Sequence, residues 1–149
     1  MTSQEKIQKD MVEAMKSKDR LRLDVLRGIK TAIKNKEIER MKQLGEAEVV
    51  QVLNTLVKQR RDSIEQFTKG GRLDLVEREE AELKILENYL PPAVGEQEIR
   101  DVITQAIGEA QASSAKDMGK VMKLVMGKFS GRVVDGKLVN QLVRTLLGN

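Results

Sequence analysis

Apolar residues recur at intervals of three and four positions along nearly the whole chain, and its two prolines are adjacent. This spacing places apolar side chains on one face of an α-helix, and no segment shows the alternation typical of a strand. Because proline lacks an amide hydrogen and disfavours helix in the preceding residue, Pro91-Pro92 interrupts the pattern. The sequence therefore predicts an all-α protein, with an N-terminal helical domain at 1–91 and a compact C-terminal three-helix domain at 92–149.

Seven helices are predicted from the apolar stripes, at about 7–15, 25–41, 49–67, 75–90, 99–107, 118–125 and 138–146. Ser114, with Asp117 three residues later, resembles a capping box that opens the sixth helix. We expect residues 127–134 to form a loop and Asp135 to cap the last helix. Arg22 and Arg60 lie close to apolar stripes, so each is expected to form a structural ion pair with a carboxylate.

The composition excludes several kinds of chemistry. The chain has no cysteine and no histidine, so disulfides, thiolate sites and the commonest general base and metal ligand are absent. We expect no metal and no cofactor.

The first ten residues are charged and helical in pattern rather than typical of a signal peptide, and no apolar run is long enough to span a membrane. These features favour a cytoplasmic location without membrane association.

Positive charge is concentrated in the last part of the chain. The net charge is +4, and residues 116–149 contain seven basic and two acidic side chains. At about 100° per residue, Lys116, Lys120 and Lys123 fall within roughly 60° of one another, opposite the apolar stripe of the sixth helix. Lys128 and Arg132 are expected in the following loop, and Lys137 and Arg144 on the last helix. Such a face suits a polyanion, although a solvated face that only aids solubility fits the same spacing.

A second group of cations, Arg27, Lys30 and Lys34, shares one face of the second helix. Glu37 and Glu39 lie nearby and are expected to neutralise the end of that helix. A solvated surface is therefore the stronger interpretation of this group, with contact to a polyanion as the alternative.

Five segments carry a resemblance to a known family. They are RLDVLRGIKTAIKNKEIE at 22–39, QRRDSIEQF at 59–67, GRLDLVE at 71–77, ILENYLP at 85–91 and, most specifically, GRVVDGKLVN at 131–140. Together they resemble the GatB/YqeY family, in particular its free-standing YqeY-like members. The family also includes the B subunit of the tRNA-dependent amidotransferase, and the resemblance covers that subunit's tail rather than its catalytic part.

The resemblance implies an all-helical, two-domain protein that binds tRNA as an accessory factor, with an aminoacyl-tRNA synthetase or an amidotransferase as a possible partner and no DNA specificity. It implies RNA contact at Lys120, Lys123, Lys128, Arg132 and Lys137, whereas Lys116 and Arg144 rest on helical spacing alone. Two alternatives remain: a carbon–nitrogen ligase or amidase that uses glutamine as nitrogen donor within a complex, and a protein-binding scaffold for a synthetase. We expect no catalytic residues in this chain itself.

Four further patterns have simpler explanations. Residues 131–137 spell G-x-x-x-x-G-K, but Leu138 replaces the hydroxyl residue of a nucleotide-binding loop and no strand precedes it. The S-x-x-K spacing at 113–116 is explained by helix capping. The acidic run at 77–82 has the spacing of a solvated helix face. The methionines of the sixth helix, at 118, 122 and 126, are expected to pack in the core rather than form an adaptable partner groove.

Overall fold

A computed structural model of the chain describes residues 1–148, and these form helices joined by short connections. The helices are α1 (Ser3–Ser17), α2 (Arg20–Arg40), α3 (Glu46–Lys69), α4 (Leu73–Glu87), α5 (Glu96–Ala110), a short 3-10 turn (Ala115–Asp117), α6 (Met118–Lys128) and α7 (Gly136–Leu146). Within this part of the chain no β-strand is present; a single parallel bridge joins Ala93 and Val133. The prediction of an all-α protein is confirmed.

The chain divides into two compact units, one formed by Met1–Pro91 and the other beginning at Pro92. The N-terminal unit contains α1 to α4, and the C-terminal unit contains α5 to α7. Each has its own aliphatic core. No helix of the described residues is both long and apolar enough to cross a membrane.

In the N-terminal unit, the four helices bury a common set of aliphatic side chains. Leu26, Ile29, Leu53 and Leu86 are at most 1% exposed. Each buried side chain of this size contributes about 1.5–3 kcal/mol to folding. Local hydrogen bonds set the helix starts: Thr2 and Glu5 form a capping box at α1.

Two arginines connect the helices of this unit through carboxylates, as the sequence predicts. Arg22 of α2 lies 3.4 Å from Asp10 of α1. Arg60 of α3 binds Glu79 at 3.2 Å and also binds Glu82, both on α4. The acidic run at 77–82 is therefore not simply a solvated face, because two of its carboxylates hold a guanidinium that is itself only partly exposed. Burial of a charge requires such partners.

In the C-terminal unit, three short helices pack around Ile99, Ile103, Val121, Val125 and Val143, each fully buried. Phe129, just after α6, is 3% exposed and completes this core. The backbone of Val94 donates to Val133 at 2.8 Å and so anchors the connection between α6 and α7. Asp135 caps α7, as predicted, by accepting from the amides of Lys137 and Leu138.

The structure differs from the sequence predictions around α6. The Ser114 hydroxyl accepts from the Lys116 amide, so the chain enters the helix through a 3-10 turn, and Lys116 lies in that turn rather than on α6. Lys128 is the last residue of α6 rather than part of a loop, because burial of Phe129 carries the helix further. Met126 is 40% exposed and does not pack in the core, whereas the methionines at 118 and 122 are partly buried there.

Candidate nucleic-acid interface

The seven predicted cations of the C-terminal unit are all solvent-exposed. The turn, α6, the connection after it and α7 carry them: Lys116, Lys120, Lys123, Lys128, Arg132, Lys137 and Arg144. We refer to these seven residues as the basic set. Their partners divide the set into three groups.

Two members of the basic set are bound by carboxylates of α5. The Lys128 ammonium lies 3.1 Å from Glu109 Oε1. The Arg132 guanidinium donates to both oxygens of Glu98, each at 3.2 Å, in a bidentate pair. Because each carboxylate offsets one positive charge, these two residues attract an external phosphate less strongly than an unpaired cation would.

Lys120 has a different kind of partner. Its ammonium donates to the carbonyl of Ala110, the last residue of α5, at 3.1 Å. A cation at this position satisfies a carbonyl that has no partner within the helix and opposes the negative end of the helix dipole. The contact fixes the side chain but leaves its full positive charge.

The remaining four members, Lys116, Lys123, Lys137 and Arg144, lie within 4.0 Å of no carboxylate in the described part of the chain. Lys123 lines an open groove together with Lys120 and Lys128 of α6 and with Glu109 of α5. This groove is the place where the structure brings predicted cations together. Residues 116, 132, 137 and 144 do not line it.

The start of α7 is already occupied by a carboxylate. Asp135 Oδ1 accepts from the amide of Lys137 at 3.0 Å and from that of Leu138 at 3.4 Å. A phosphate approaching these amides would have to displace the carboxylate, so the ammonium group of Lys137, rather than the backbone, is the group that this region offers to an anion.

The second predicted group, Arg27, Lys30 and Lys34, lies exposed on α2. Lys30 donates to the side chain of Gln8 at 3.1 Å. The nearby acids bind other groups: Glu37 accepts from the amide of Leu44 at 3.0 Å, and Glu39 pairs with a lysine one turn away. The three cations therefore retain their charge.

A buried polar cluster in the N-terminal unit was not predicted from the sequence. The Tyr89 hydroxyl donates to Asp10 at 2.6 Å, Asp10 also pairs with Arg22, and the Lys6 ammonium lies 5.3 Å from the centre of the Tyr89 ring. Burial raises the pKa of Tyr89 to about 12, and the hydrogen bond to Asp10 acts in the same direction. Tyr89 and Asp10 are 79 positions apart, so no local spacing relates them.

The motifs that resemble catalytic sites are occupied by structural contacts. Ser114 accepts from the Lys116 amide at 3.4 Å, and the amide of Ser113 donates to Asp117 at 3.0 Å. Both serines thus belong to the entry into α6. Among residues 1–148 no three acidic side chains converge in a way that would hold a metal ion.

Curated fungal proteins show clear similarity to this chain, and each is named altered inheritance of mitochondria protein 41, mitochondrial. The protein of Kluyveromyces lactis is 37% identical over 135 residues, which cover 89% of this chain and 71% of the relative. That of Pyrenophora tritici-repentis is 31% identical over 145 residues, covering 96% and 80% respectively. That of Lachancea thermotolerans is 42% identical over 111 residues; the match covers 72% of this chain but only 59% of the relative's length.

These names contradict the prediction of a cytoplasmic location, which is wrong by this comparison because each of the three relatives is described as mitochondrial. The names state no activity. Residues 4–147, nearly the whole chain, also match the family model of YqeY-like proteins. The chain therefore belongs to the YqeY-like protein family.

Proposed function

We propose that this protein binds tRNA through the basic set of its C-terminal unit and acts as an accessory factor rather than as a catalyst. One observation carries the proposal. Five of the seven cations in this set bind no carboxylate among residues 1–148, although both units contain many acidic side chains. An unpaired, exposed cation is available to neutralise a phosphate and release a counterion.

The chemistry of the surface favours recognition of the phosphate backbone over stacking of bases. The chain has three aromatic residues, and two of them, Tyr89 and Phe129, are buried. Single-stranded RNA is usually held by exposed aromatic rings, whereas folded RNA is recognised through its shape, phosphates and 2′-hydroxyls. The resemblance to the tail of the amidotransferase B subunit supports tRNA among folded RNAs, with a synthetase or an amidotransferase as a further partner.

The test is tRNA binding measured against salt concentration for the wild type and for the variant Lys123→Gln/Lys137→Gln. Neither side chain has a hydrogen-bond or ion-pair partner in the described structure, so we expect the variant to keep its helicity. Removing two phosphate contacts should weaken binding and reduce the slope of log K against log salt by about 1.4–1.8.

The matched control is Lys58→Gln/Lys84→Gln, which removes the same charge from exposed positions of the N-terminal unit. It should bind like the wild type. Equal binding by the wild type and the Lys123→Gln/Lys137→Gln variant would mean that these lysines only aid solubility.

Two assays address the alternative functions. Turnover of glutamine by the purified protein would support an amidase or ligase and overturn an accessory role. Capture of a synthetase that persists after ribonuclease treatment, without measurable tRNA binding, would support a protein scaffold instead.

A further inference from the structure

The groove that brings three cations of the basic set together has a floor that is partly bare backbone. Its lining includes Lys120, Lys123 and Lys128. Two further residues of α6, Leu124 and Gly127, line it as well. Leu124 is half-buried and packs against the core, whereas Gly127 is exposed. At position 127 an approaching molecule therefore meets the helix backbone rather than a side chain.

No contact within the described part of the chain requires glycine at position 127. The residue lies inside α6, and its φ is not left-handed. A Cβ added there would lie within 4 Å of no atom beyond its chain neighbours and the adjacent helix backbone. Because glycine loses more conformational freedom on folding than alanine does, it is the less favourable residue in a helix. Gly127 therefore lowers the stability of α6 without making room for another part of the protein.

Two of the three lysines are held close to the end of α5. The Lys120 ammonium donates to the Ala110 carbonyl at 3.1 Å, and the Lys128 ammonium lies 3.1 Å from Glu109. Neither ammonium group extends freely into solvent to meet a ligand. A phosphate must therefore approach the protein surface to reach either of them, and the attached ribose approaches with it. A side chain at Gly127 would occupy part of the space that this approach needs.

We propose that the ribose-phosphate backbone of the bound tRNA packs directly against α6 at Gly127, so that Gly127 is a contact residue of the tRNA site. This inference rests on the proposed tRNA binding and adds a steric requirement to it. The lysines attract the phosphates, and the missing side chain sets how closely the strand approaches. Because Coulomb attraction falls with distance, a closer approach strengthens each phosphate contact.

The experiment measures thermal unfolding and tRNA binding for Gly127→Ala and Gly127→Leu, since alanine and leucine both favour helix. Gly127→Ala should raise the midpoint of thermal unfolding by about 1–4 °C. The same change should weaken binding of labelled tRNA, measured by fluorescence anisotropy at constant salt, by about fivefold or more, because it crowds a packed contact. Gly127→Leu should weaken binding further, because its side chain is larger.

The matched controls are Gly108→Ala and Gly108→Leu, near the end of α5 in the same unit. Gly108 is also exposed and has open space around its missing side chain, but it does not line the groove. Gly108→Ala should gain stability to a similar extent, and both controls should bind tRNA like the wild type. A folding defect would lower stability and binding together, so opposite effects at Gly127 alone would identify a contact with the ligand.

The outcomes separate this inference from the proposed function. Equal tRNA binding by the wild type and a folded Gly127→Leu variant would overturn the inference, and so would an equal loss of binding in the Gly108 variants. Either result leaves the proposed function standing as long as Lys123→Gln/Lys137→Gln weakens binding. Absence of tRNA binding by the wild type would overturn the proposed function and this inference with it.

Discussion

The carboxylates of α5 provide a gain-of-function test of RNA binding. Glu98 and Glu109 hold Arg132 and Lys128 through exposed ion pairs. Exposed pairs of this kind contribute about 0–1 kcal/mol each to folding, so the variant Glu98→Gln/Glu109→Gln should remain folded. Its two released cations become available to phosphates.

The size of the effect follows from the number of cations released. Each additional phosphate contact steepens the slope of log K against log salt by about 0.9 for a duplex, which gives about 1.8 for two contacts. Between 50 and 200 mM salt, a fourfold range, the affinity of the variant should therefore fall about tenfold more than that of the wild type. At the lower salt concentration the variant should bind more tightly.

Fluorescence anisotropy with labelled tRNA over this salt range measures both quantities. The control is Glu77→Gln/Glu80→Gln, which raises the net charge equally but removes two exposed acids that pair with no cation in the described structure. A slope for the Glu98→Gln/Glu109→Gln variant no steeper than that of the control would refute a role for Arg132 and Lys128 in phosphate contact.

Three further changes test individual contacts. Tyr89 has a folded-state pKa of about 12, above its ordinary value of 10.0, so its stabilising effect should be complete below pH 10 and lost as the pH rises through 12. After allowance for solvent screening, the difference in unfolding free energy between the wild type and Tyr89→Phe should shrink by about 1–2 kcal/mol between pH 10 and pH 12. Urea titrations at each pH measure this difference. A difference that stays constant with pH would contradict the raised pKa of Tyr89. Asp135→Ala removes the cap of α7 and should lower the free energy of unfolding by about 1 kcal/mol, as thermal unfolding would measure. It should also strengthen tRNA binding, because it removes a negative charge beside Lys137. Weaker binding by a folded variant would argue against phosphate contact at Lys137. Arg60→Met leaves two carboxylates of α4 without their cation and should destabilise the protein by about 1–3 kcal/mol in urea, and an unchanged midpoint would show that the pairs are energetically neutral.

The sequence was sufficient for the features that depend on local spacing. Apolar stripes located the seven helices, Asp135 was recognisable as a cap, and the placement of Arg22 and Arg60 beside apolar stripes predicted their ion pairs. The helices and the cap depend on residues within a few turns of one another. The ion pairs follow from the general rule that a buried charge needs a partner of opposite charge. The same reasoning placed Lys116 on α6, because helical spacing continues smoothly through a turn that the structure winds more tightly.

Long-range pairing was beyond such reasoning. Arg132 and Glu98 are 34 positions apart, and Lys128 and Glu109 are 19 apart, on elements whose faces meet only after packing. Local spacing therefore assigned no partner to any of the seven cations, whereas the structure gives two of them carboxylates and one a carbonyl. The same limit hid the contact between Tyr89 and Asp10.

The contact between Lys120 and the carbonyl of Ala110 has a consequence for the kinetics and cost of association. A lysine side chain normally loses up to about 2 kcal/mol of rotamer freedom when a ligand immobilises it. Here the Ala110 carbonyl at the end of α5 already restrains the Lys120 side chain. The ammonium group keeps two further N–H donors that can point to solvent. Lys120 is therefore preorganised for an anion. Part of its side-chain conformational entropy is lost when the protein folds, so less is lost when the anion binds.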